Sequence, residues 1–391
     1  MSSPPKAARP KSTLAAKARQ FWQRVSEGME VSQLWSQFEK DARSSYRLYS
    51  AGMAERAEGQ SRFRRARFVA KALFWAILEK LTPARRVLLL LAFILLFFPA
   101  GGFTYKNAAG DVHVFELDLH VWGGLLMFVV LLLELADRVV MKRDLEIAKD
   151  IQTWLLPGAP LQIPGYQIAY ATRPANTVAG DYYDVILRPG ATPGHDRILF
   201  VVADVAGKSI PAAMLMATFQ ASLRTLSDGR VPLPEIIAGL NRYACTNSQG
   251  GVRFTTAFLA ELDPATGNVV YVNAGQNAPI LRKNSGVMGR PEMERLEAGG
   301  IPLGILPDAA YQTGATTLGA GDWLVIFTDG VVEAVNPKGE EYGEPQLIGL
   351  LDSEAAATPG EMLRRLLAGH DAYVGNTPQH DDITCLLLKR S

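Results

Sequence analysis

The sequence predicts an α+β domain from about residue 161 to residue 391, preceded by a helical region containing two apolar segments. Three observations carry this prediction. Strand-like apolar runs separated by turn residues crowd the C-terminal part. Helical stretches there come in blocks and do not alternate with the strands, which favours a sandwich over a βαβ fold. Ahead of them, Val87 to Thr104 runs for 18 residues without a charge.

The elements follow in order. Residues 1–80 form an N-terminal segment: 1–11 are rich in Pro, Ser and Lys, a composition that resists packing, and a patchy helical pattern follows. Arg62, Arg64, Arg65, Arg67 and Lys71 cluster near its end. They are either a solvated helical face or an interfacial helix on anionic lipid. Residues 81–136 read as a transmembrane hairpin, set against the alternative of a buried helical hairpin in a soluble domain. The first span is Val87 to Thr104, ended by Pro99, Gly101 and Gly102, and the second lies within Leu117 to Ala136. Each approaches the ~20 residues a bilayer requires of a helix. Arg85 and Arg86 precede the pair, Arg138, Lys142 and Arg143 follow it, and the loop between holds only Lys106 as a basic residue. The positive-inside rule then puts the N-terminus and the C-terminal domain on the cytoplasmic side of the membrane.

Residues 137–160 predict a linker helix stopped by Pro157-Gly158. Val140, Ile147, Ile151 and Trp154 share one stripe, which either pairs with a second copy in a homodimer or packs on its own domain. Within 161–391, strands are expected at 166–172, 197–205, 255–263, 268–275, 322–329 and 383–390, with a hairpin at the DPATG turn, 263–267. Helices are expected at 210–227, 233–248, 344–352 and 359–374.

Composition removes several function classes. Forty basic and 39 acidic residues leave a net charge of +1, so the chain lacks the basic surface that nucleic acid requires. The two cysteines, Cys245 and Cys385, cannot build a disulfide framework or a structural zinc site. Neither has an arginine at the spacing a thiol-nucleophile phosphatase uses: position 251 is Gly, and Ser391 closes the sequence. No Rossmann or P-loop glycine motif occurs.

The candidate chemistry lies in aspartates placed where apolar runs stop. They are Asp181 in VAGDYYD, Asp204 in FVVADVAGK, Asp329 in VIFTDGVVEA, and Asp381 with Asp382 in HDDIT. Gathered at one edge of a sheet, such carboxylates repel each other and ionise together only beside cations. Oxygen donors without nearby His or Cys select Mg²⁺ or Mn²⁺ over zinc. Each motif alone is a common turn; the set carries the argument.

Seven segments in order extend it: EIAKDIQTWLLP, RPANTVAGDYYD, VVADVAGKSIPAAMLMA, FTTAFLAELDPATGNVVYVNAGQNAPIL, GIPLGI, GDWLVIFTDGVVEAVNPKGEEYG and DDIT. Residues 150–391 thereby resemble the metal-dependent protein phosphatase (PPM) family in its bacterial SpoIIE/RsbU branch. The resemblance implies an αββα sandwich of two mainly antiparallel sheets flanked by helices. It implies two Mn²⁺ or Mg²⁺ ions held by Asp181, Asp204, the Val205 carbonyl, Asp329 and Asp381, with Asp382 in support and Asp184 a lesser candidate. Water activated by the metals would hydrolyse phosphoserine or phosphothreonine on a partner of the anti-sigma-factor-antagonist (STAS) type, with Lys208 a possible substrate contact. Three positions depart from the family pattern: Gln276 replaces the usual histidine, Ala179 a glycine and Ser209 a glycine. The competing expectation is a catalytically weak or inactive phosphatase-like scaffold, which would usually have lost one of the aspartates.

Overall fold

The computed structural model describes residues 75, 78, 81–97, 101–106, 112–190, 195–228, 231–247, 253–284, 291–297, 299–353 and 357–391. The helical pattern and basic cluster expected within 1–74 lie outside these residues. The chain divides into two compact units, up to Asp137 and from Arg138 onward.

In the first unit, α1 (Pro83–Phe97) leads into a hairpin of β1 (Gly101–Lys106) and β2 (Val112–Leu117), and α2 (Leu119–Leu155) follows. This corrects the first expected span. The apolar run is not one helix, because α1 stops at Phe97 and Gly101–Thr104 pair as strand. Fifteen residues of α1 give only ~22 Å at 1.5 Å per residue, short of a ~30 Å hydrocarbon core. The second segment is the longer one: α2 has 37 residues and is, among the described residues, the one helix long and apolar enough to cross a membrane. The two helices approach closely where Ala92 is fully buried and a Cβ on Gly123 would stand 2.9 Å from the Leu96 backbone nitrogen. Small residues at a crossing permit such contact. Arg85 pairs with Asp137 at 2.6 Å and Glu134 at 3.4 Å. Val87, Ile94, Phe97, Val121, Trp122 and Leu131 face outward. The expected linker is the same helix continued, and it ends at Leu155, ahead of Pro157.

The second unit is a four-layer sandwich. One sheet has the order β10-β7-β6-β5-β4 and the other β3-β12-β11-β8-β9, every pair antiparallel. The strands are β3 (Tyr166–Arg173), β4 (Tyr182–Arg188), β5 (Arg197–Val205), β6 (Thr255–Leu262), β7 (Asn268–Ala274), β8 (Ile280–Lys283), β9 (Glu292–Arg295), β10 (Gly314–Thr317), β11 (Trp323–Phe327) and β12 (Ile383–Arg390). The helices are α3 (Ile210–Ser227), α4 (Leu233–Asn247), the single-turn α5 (Asp329–Val332), α6 (Gly343–Ser353) and α7 (Pro359–Val374).

Period-two alternation builds the layers. On β5, Ile198, Phe200 and Val202 enter the core between the sheets, while Leu199, Val201, Ala203 and Val205 enter the core under α3 and α4. On β12, Leu386 and Leu388 face between the sheets, and Ile383, Cys385 and Leu387 face α6 and α7. Buried on both faces, these strands are continuous apolar runs, which is why they were legible. The β6–β7 hairpin forms at the expected turn, where the Asp263 carboxylate accepts from the Ala265 amide at 3.0 Å. α7 opens with a reciprocal cap between Thr358 and Glu361 and Pro359 in its first turn.

Candidate metal centre

Antiparallel pairing decides where the aspartates go. The start of β4 lies beside the end of β5, with Tyr182 opposite Ala203. The end of β11 lies beside the start of β12, with Phe327 opposite Cys385. Asp181 precedes β4, Asp204 is the penultimate residue of β5, Asp329 follows β11 and Asp381 precedes β12. Stacking the sheets brings both edges together.

Asp204, Val205, Lys208, Asp329 and Asp381 line one open cavity of about 300 Å³, with Phe254, Thr256, Gln276 and Glu333. Asp181 lies behind Asp204, fully buried, and accepts from the Thr328 hydroxyl at 2.9 Å. Glycine permits these close approaches. A Cβ on Gly330 would stand 2.1 Å from the Asp382 carbonyl oxygen, and one on Gly180 would stand 3.0 Å from the Val205 carbonyl oxygen.

The carboxylates resist ionising together. Burial, then repulsion from Asp329 and Asp381, pushes Asp204 up to about 7. Burial first, then Asp204, pushes Asp181 well above the carboxylate range. Burial and Asp381 raise Asp329. The Lys208 ammonium stands 3.0 Å from the Asp381 carboxylate and also donates to the His380 carbonyl. Lys208, expected as a substrate contact, is thus an acid's partner on the same wall.

Two expected acids take other work. Asp382 is not on the cavity wall. Its carboxylate accepts from the Ala175 amide at 2.7 Å and the Gly180 amide at 2.6 Å, so it holds the segment leading to Asp181. Asp184 points the other way, with Tyr182, into the layer under α3. There Arg224 meets it through two bonds of 2.7 Å, and the Tyr182 hydroxyl donates to it. A strand residue three positions from Asp181 shares the face of Tyr182, which is the helix-facing one.

The donor set fits a hard divalent ion: carboxylates and a backbone carbonyl, mutually repelling and only partly compensated by Lys208. Among the described residues no three His, Cys, Asp or Glu side chains form a ready-made metal cluster.

The sequence profile described as stage II sporulation protein E (SpoIIE) matches residues 194–391, just over half of the chain. The chain belongs to the SpoIIE family. Protein IcfG of Synechocystis sp. is 27% identical over 281 residues, covering 64% of this chain and 42% of that protein. Phosphoserine phosphatase RsbU of Bacillus subtilis is 28% identical over 251 residues, covering 64% of this chain and 70% of that one. The chain therefore spans less than half of the length of IcfG. The fold is also that of the SiaA-PP2C domain of Pseudomonas aeruginosa, with TM-score 0.55 and 22% identity over 66% of this chain and 99% of that one.

Sequence reasoning missed two residues of this SpoIIE-family site. Glu333 shares the cavity with Asp329 four residues earlier; that interval is one helical turn, the signal that could have found it. Thr328 holds Asp181 and could have been suspected only from its adjacency to Asp329.

Proposed function

We propose that this chain is a membrane-anchored, metal-dependent protein phosphatase that hydrolyses phosphoserine or phosphothreonine on a bacterial signalling regulator. The observation that carries this reading is the convergence of Asp204, Asp329 and Asp381 on one cavity, with Asp204 raised to about 7 by burial and by its neighbours. Asp204, Asp181, the Val205 carbonyl, Asp329 and Asp381 would hold two Mg²⁺ or Mn²⁺ ions. Bound there, the ions would supply the positive charge that neutralises phosphoryl oxygens and acidifies an attacking water. The chain's own residues do the rest. Thr328 fixes Asp181, Asp382 fixes the loop that carries it, and Lys208 is placed to exchange its partner Asp381 for a phosphoryl oxygen.

RsbU bears the name of a phosphoserine phosphatase; by that likeness the substrate is a phosphorylated regulator, of the STAS type in the branch the motifs resemble. The exposed apolar faces of α1 and α2 support anchoring in lipid. The exposed stripe of Val140, Ile147, Ile151 and Trp154 supports a homodimer through α2, whose Gln152 face packs instead on its own domain. The test is hydrolysis of an aryl phosphate with Mn²⁺ or Mg²⁺. Wild type is expected to turn over and Asp204→Asn to lose about two orders of magnitude or more. Equal rates in both, or turnover that survives a chelator, would overturn the reading.

A further inference from the structure

Gln276 sits in the loop after β7 and is 5% exposed. Its backbone is pinned by Asn273, whose side chain accepts from the Gln276 amide at 2.8 Å and donates to the Gln276 carbonyl at 3.1 Å. Its side chain spans the two sheets. Nε2 donates to the Phe327 carbonyl at 3.2 Å, at the end of β11, and Oε1 meets the Thr256 hydroxyl at 2.5 Å, on β6. The orientation of the amide follows from the partners. A carbonyl has no proton to give, so nitrogen must face Phe327, and the Thr256 hydroxyl then donates to oxygen.

Both anchor points border an acid of the cavity. Thr256 is the register partner of Asp204, and its hydroxyl also lies 3.4 Å from the Asp204 carbonyl. Phe327 is two residues before Asp329. We infer that Gln276 is a positioning residue: its amide is a strut between the two sheets, and it sets how far apart Asp204 and Asp329 stand. An amide suits the post, because one anchor offers a proton and the other requires one. Methionine has similar length but neither bond; asparagine has both groups but is one methylene too short to reach both anchors.

The inference rests on the metal-centre reading. The experiment is Mn²⁺ binding to the purified full chain in detergent, followed by the electron paramagnetic resonance of free Mn²⁺, with melting temperature recorded in parallel. Gln276→Met and Gln276→Asn are expected to raise half-saturating Mn²⁺ by about tenfold or more, the usual effect of losing a residue that orients ligands. Thr256→Val is expected to weaken binding, and Thr256→Ser, which keeps the hydroxyl, to restore it. The Gln276→Met/Thr256→Val pair should be no weaker than Gln276→Met alone, because both remove one strut. Should Gln276→Met fail to fold, the Thr256→Val and Thr256→Ser comparison decides. Midpoints within about twofold of wild type in the folded variants, or effects that multiply in the pair, would overturn the strut. A wild type that binds no Mn²⁺ would remove the metal-centre reading itself, and the strut with it.

Discussion

Ser209 has φ 65° and ψ −149°, the one residue other than glycine with positive φ among those described. That region is nearly reserved for glycine and costs other residues about 1–3 kcal/mol. The serine therefore holds strain at the junction between the cavity loop and α3. Ser209→Gly is expected to stabilise the domain by about 1 kcal/mol, read from the denaturant midpoint. Gly330 has the opposite constraint. A methyl there meets the Asp382 carbonyl at 2.1 Å, so Gly330→Ala should cost about 3 kcal/mol, measured the same way.

At the scale of elements, α3 is tied to β4 by Arg224 and the fully buried Asp184. Arg224→Met would leave that carboxylate without its cation. The expected loss is on the order of 2 kcal/mol, reduced because Arg224 is half-exposed, and chemical denaturation would show it. The pair also shows where sequence reading stops. The motif GDYYD names two aspartates, but only the strand's alternation, visible once β4 is placed in a sheet, separates a cavity acid from an ion-paired one. Long elements with two buried faces were legible: β5 and β12 from unbroken apolar runs. The four-residue strands β8, β9 and β10 were not, being too short to show a period, and neither was the seven-residue β4, whose apolar run Asp184 interrupts. In the first unit, hydropathy counted Val87 to Thr104 as one span because it weighs composition and ignores pairing; backbone bonds to β2 take Gly101–Thr104 out of the helix.

For the whole molecule, the acids predict how stability responds to pH. Asp204 has a folded-state pKa of about 7, above the ~3.9 of an unfolded chain. The folded state therefore retains a proton that the unfolded state releases. Stability falls as pH rises between those values, and the full penalty stands above 7. With chelator present, the melting temperature of wild type is expected to rise from pH 7.5 to pH 5.5 by more than that of Asp204→Asn. Saturating Mg²⁺ should flatten the difference; a slope shared by both proteins would sink the assignment. At the same scale, the exposed apolar surface of α1 and α2 predicts that the intact chain sediments with membranes and resists extraction by alkaline carbonate, whereas recovery in the soluble fraction would count against anchoring.

Asp381 and Asp382 are identical neighbours in sequence, yet one faces an open cavity and the other staples backbone amides. Amide replacements at the two sites should fall into separate phenotypic classes. The first should yield a well-behaved protein starved of metal, and the second a protein that scarcely accumulates. A mutational scan scored only by growth would merge them; scoring abundance beside activity would pull them apart.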